Sequence, residues 1–69
     1  MLAENLLRAR HAAGLSKNRL HLLSGIGLAT IAEIEAGQTV NPGILTMARL
    51  ANILGIRLDD LLIPRVEES

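Results

Sequence analysis

The residues able to do chemistry are few and scattered. His11 and His21 are the two histidines, and the chain has no cysteine. They fall on different expected helices. Neither has a partner at the spacing that holds a metal ion or sets up a metal-dependent hydrolase. Asp59 and Asp60 are adjacent, and neighbours on a helix point about 100° apart. Their carboxylates therefore do not converge on one proton and read better as charges near the positive end of a helix. Gly25 and Gly27 belong to a turn, not to a phosphate-cradling loop. These features argue against an enzyme and against any metal or other cofactor. What remains is chemistry of contact: Lys17, Asn18 and Arg19 together, Thr30 and Glu33 further on, and Arg49 beyond them.

The elements that must position these groups are short helices. Sixty-nine residues make one small domain, expected over residues 1–63 with a short tail at 64–69. The composition is 49% hydrophobic with no Phe, Tyr or Trp, so leucine and isoleucine must fill the interior. No apolar run approaches the ~20 residues that span a bilayer, and the N-terminus lacks a signal pattern. With no cysteine, the chain is expected to be soluble and cytoplasmic, without membrane association.

Leu2, Leu6, Ala9 and Ala13 share one face at the helical period, predicting a first helix over Leu2–Ala13 that stops at Gly14. Ser16 caps a second, Lys17–Ser24, with Leu20 and Leu23 inward. Gly25 suits a left-handed turn, and Gly27 caps a third helix, Leu28–Ala36, buried through Ile31 and Ile34. Asn41-Pro42 starts a fourth, Pro42–Leu54, with Ile44, Met47, Ala48, Ala51 and Leu54 inward and Gly55 as its stop. Ile56 packs as a linker residue. Leu58–Ile63 is a last short helix ended by Pro64. The result is an all-α, five-helix domain. Its organising stretch, Ser16–Gly37, has the layout of a helix-turn-helix unit.

The chain resembles the Cro/CI-type, or XRE-type, helix-turn-helix domains of phage repressors and small bacterial regulators. The matching pieces are Leu6 with Arg10; Gly14-Leu15-Ser16; Leu20; Gly25-Ile26; Ile31; Ile34-Glu35 with Gly37; Asn41-Pro42; and Leu50-Ala51, Leu54-Gly55-Ile56 and Leu58-Asp59-Asp60-Leu61-Leu62. The resemblance implies a phage-repressor-like fold and a structural ion pair between Arg10 and Glu35. It implies a sequence-specific DNA-binding regulator, more a repressor than an activator. Such a protein would dock its third helix in the major groove of double-stranded DNA as a homodimer on a pseudo-palindromic operator. By family position the DNA-binding residues are Lys17, Asn18, Arg19, Gly27, Leu28, Ala29, Thr30 and Glu33, with Gln38 and Asn41 in the following loop. His21 stands where the family prefers a small residue, which predicts a partly buried packing role.

The pattern departs from a well-equipped DNA reader. Lys17 stands where glutamine is usual and can serve a phosphate or a guanine. Leu28 and Ala29 offer only apolar contact to thymine methyls, and Thr30 can donate a hydrogen bond or pack its own methyl. Glu33 could accept from cytosine but is unfavourable beside phosphates. Net charge is zero, with residues 1–50 mildly basic and residues 51–69 mildly acidic. Leu22, Leu28, Leu45, Leu62, Ile63 and Val66 form a candidate dimer or partner surface. The alternative reading is a protein-interaction module, such as an antitoxin, antirepressor or inhibitor of another regulator, with weak or no DNA binding.

Overall fold

The computed structural model describes residues 2–38 and 42–62. The chain runs through α1 (Leu2–Ala12), α2 (Lys17–Ser24), α3 (Leu28–Glu35), α4 (Ile44–Leu54) and α5 (Leu58–Leu62). No strand occurs among the described residues. The helices pack in a closed ring: α1 on α3, α3 on α2, α2 on α4, α4 on α5, and α5 back on α1. A radius of gyration of 11.1 Å is what a single packed domain of this length requires, about 11 Å.

Local chemistry sets the helix ends. Ser16 is extended, and its Oγ accepts the Arg19 N–H at 3.0 Å, capping α2. Beyond α1 the Leu15 N–H reaches back to the Arg10 carbonyl at 3.1 Å, and beyond α4 the Ile56 N–H reaches back to Ala51 at 3.0 Å. Both are Schellman closures that satisfy carbonyls the helix leaves open. The Arg57 N–H donates to Asp60 Oδ2 at 3.0 Å, so Asp60 closes the start of α5. Asn5 Nδ2 donates to the Leu61 carbonyl at 3.0 Å, tying α1 to the end of α5.

The core consists of Leu6, Leu20, Ile26, Ile31, Ile34, Met47, Leu50, Ala51, Leu54 and Leu61. Six of these, Leu6, Leu20, Ile31, Ile34, Leu50 and Leu61, are fully buried. Each such side chain contributes roughly 1.5–3 kcal/mol relative to exposure, which is how an interior without aromatics suffices. Ile56 packs against the cluster from the side.

Several expected positions move. Leu23 is exposed (48%), because the buried side of α2 passes through Leu20 and Ser24 instead. On α4 the buried residues are Met47, Leu50, Ala51 and Leu54. At about 100° per residue their centre lies near Met47 and Leu54, leaving Ile44 about 70° and Ala48 about 110° away. Both are exposed, and Leu50 takes the inward place. The cap of α4 is Gly43, extended at ψ 150°, so the helix opens at Ile44 and Pro42 precedes it. Glycine is a poor interior helix residue, and regular structure begins just after it. At the other ends, α1 stops at Ala12 and Ala36 is the cap of α3 instead of its last residue. Asn41, Ile63 and the tail 64–69 lie outside the described residues.

Candidate nucleic-acid interface

α2 and α3 are short, and the three residues between them fix their relation. Gly25 has φ +74°, a conformation in which a side chain's Cβ would crowd the following carbonyl, and its N–H closes on the His21 carbonyl at 3.0 Å. Ile26, 7% exposed, sinks into the core. Gly27 then caps α3 with φ −57° and ψ 140°, and no side chain accepts an N–H of the first turn. The buried stripe of α3 is Ile31 and Ile34. That leaves Leu28 at 42% exposure, with Ala29 and Glu33 exposed and Thr30 half-buried. The first two residues of α3 thus stand clear of the core, and the helix is anchored from Ile31 onward.

At the far end of the helix the environment reverses. Arg10 Nε donates to Glu35 Oε2 at 2.7 Å and Arg10 Nη2 to Oε1 at 3.0 Å, a two-pronged ion pair. The third guanidinium nitrogen, Nη1, donates to the Leu15 carbonyl at 2.8 Å. Both side chains are less than a tenth exposed. The planar fork of arginine matches a carboxylate in a way lysine cannot, and here it joins the end of α1, the loop after it and the end of α3.

The sequence profile of the helix-turn-helix family matches residues 6–61. The chain belongs to this family, in its Cro/CI (XRE) type. The domain is similar to a protein described as an uncharacterised HTH-type transcriptional regulator of Haemophilus influenzae, 41% identical over 54 residues. That match covers 78% of this chain and 54% of the other, so the chain spans about half the length of this curated relative. No solved structure matches it.

The family positions distribute as follows on this helix-turn-helix domain. Lys17, Asn18 and Arg19 form the exposed first turn of α2, and Gly27, Leu28 and Ala29 are exposed on the helix packed against it. Gln38 is exposed, with its N–H held by the Glu33 carbonyl at 2.9 Å. Arg49 is exposed on α4. Asn41 lies outside the described residues. Of the candidate partner surface, Leu22 (62%), Leu45 (73%) and Leu62 (45%) are exposed along with Leu28, whereas Ile63 and Val66 fall outside the described residues. Among the described residues no helix is long and apolar enough to cross a membrane, and no three His, Cys, Asp or Glu gather where an ion could sit.

His21 is half-buried, as a packing residue should be, but two side-chain bonds of the turn are not evident in the sequence. Ser24, 9% exposed, accepts the Ile26 N–H on its Oγ at 3.2 Å. His21 Nδ1 lies 2.6 Å from the Ile26 carbonyl. A serine directly before a turn glycine is the one signal that points to the Ser24 bond, since serine hydroxyls commonly bond the backbone two residues on.

Proposed function

We propose that this chain is a sequence-specific DNA-binding transcriptional regulator that acts as a repressor. A homodimer would lay one α3 per subunit in successive major grooves of a pseudo-palindromic duplex. The observation that carries this reading is the exposed first turn of α3, Gly27-Leu28-Ala29, on a helix held through Ile31 and Ile34 and packed on cationic α2. A recognition helix needs that combination: its N-terminal residues meet base edges, and the scaffold behind them stays put. The Haemophilus influenzae relative's description as a transcriptional regulator points the same way.

In this arrangement Lys17, Arg19 and Arg49 meet phosphates, Asn18, Gln38 and Asn41 add polar contacts, and Leu28, Ala29 and Thr30 face base edges with Glu33 beyond them. Three cations per subunit give about six phosphate contacts in a dimer, hence a log–log salt slope of about −5. One subunit alone would bind weakly, so the two-fold arrangement follows from the charge. Half-sites then lie about one helical turn apart.

Mobility shift on duplexes from around the protein's own coding region tests the reading. Wild-type binding should weaken steeply with salt, and Lys17→Ala with Arg19→Ala should reduce affinity by roughly tenfold or more at moderate salt. Unchanged binding in that double variant would rule out groove docking. A second reading, a protein-interaction module, is favoured by one observation: the exposed start of α3 carries no hydrogen-bonding side chain until Thr30. An absent or salt-insensitive shift at micromolar protein would select it.

A further inference from the structure

Both backbone groups of Ile26 are taken by side chains of α2. Ser24 Oγ accepts its N–H at 3.2 Å, and its carbonyl faces His21 Nδ1 at 2.6 Å. A carbonyl can only accept, so Nδ1 carries the proton and donates. On the α3 side the first turn has no side-chain cap at all. The entry to α3 is therefore fixed from α2.

We infer that His21 is a positioning residue for the exposed first turn of α3, a role that rests on the DNA reading above. The Ile26–Gly27 peptide is planar and trans, so holding its carbonyl oxygen fixes the plane and turns the Gly27 N–H the opposite way. Gly27 has the widest backbone freedom of any residue type. Without the His21 bond, rotation about Ile26 ψ and Gly27 φ is opposed only by packing, and Leu28 and Ala29 shift against Lys17 and Arg19. Recognition sites tolerate only about 0.5 Å and 10–20° of such looseness. His21 thus sets how the turn is presented without touching the duplex.

The competing view is that the half-buried ring simply fills space. Three substitutions separate the two. His21→Asn places an amide donor on Cγ, where Nδ1 stands; His21→Gln moves the donor one bond further out; His21→Leu keeps bulk and removes the donor. Affinity is read by fluorescence anisotropy on a duplex enriched by the wild-type chain from a randomised pool. The temperature is one at which circular dichroism shows every variant folded. Ring ¹⁵N spectra of the free wild-type protein report the tautomer.

The expected results are a proton on Nδ1, an affinity loss of roughly five- to tenfold for His21→Leu and His21→Gln, and a loss below about twofold for His21→Asn. The salt slope stays at its wild-type value, because no phosphate contact is removed. A bare Nδ1 with the proton on Nε2, wild-type affinity in His21→Leu, or equal losses in His21→Asn and His21→Leu would each overturn the inference. A wild-type chain that enriches no duplex would instead overturn the DNA reading, and this inference with it.

Discussion

The two ends of α3 are built on opposite principles. Its C-terminal end is bound by a buried, two-pronged ion pair to Arg10, which also holds the Leu15 carbonyl. Its N-terminal end has an uncapped glycine, an exposed leucine and an exposed alanine. The first end couples α3 to α1 and is costly to disturb. The second end is held through the turn and through Ile31, and its first two residues stay exposed. An eight-residue helix can carry an exposed start and an anchored end in this way, because its buried residues begin only at the fourth position, Ile31.

The largest test of this contrast is Arg10→Ala. Removing the guanidinium strands the Glu35 carboxylate at 6% exposure, and a buried charge left unpaired costs about 3–5 kcal/mol. Urea denaturation should show that loss, while Arg8→Ala, on the exposed side of α1, should stay within about 0.5 kcal/mol. Equal midpoints for the two would dissolve the contrast. Next in size is Ile31→Ala, expected to cost about 2–5 kcal/mol. Leu28→Ala, three residues earlier and exposed, should change stability by less than about 1 kcal/mol and affect DNA affinity instead.

Gly25→Ala probes the turn between the helices. An added Cβ there meets nothing within 4 Å, so the whole effect is left-handed backbone strain of about 1–2 kcal/mol, measurable as a drop in melting temperature. The smallest effect should come from Gly27→Ser. Its Cβ would sit in ordinary contact, 3.6 Å from Thr30 Oγ1, and a serine cap should raise stability by a few tenths of a kcal/mol. A stability decrease in that variant would mean that glycine is needed at the start of α3 for its conformation.

The positions of the helices were legible because their punctuation is strong. Ser16, Gly25 and Gly55 act locally, and each does in the structure what its type suggests. The resemblance pointed to Arg10 and Glu35 across 25 residues of sequence, a separation that periodicity does not encode. Which side of α2 and α4 turns inward was less legible. α2 has leucines at 20, 22 and 23, and the choice fell to Ser24 because the turn needs its hydroxyl. α4 has apolar residues on most sides, so neighbouring helices, not its own pattern, turned Leu50 in and Ile44 out. The His21 contact could not be read at all, since it exists only once Gly25 has reversed the chain.

The bond from Asn5 to the Leu61 carbonyl joins groups 56 positions apart, and it has a consequence for how the protein is made. α1 is synthesised before α5, yet the two pack together. At about 5–20 residues per second, ~3–11 s pass between the appearance of Asn5 and that of Leu61, whereas a helix forms in about a microsecond. The ring of helices therefore stays open between α1 and α4 until α5 has been made, and only then can it close.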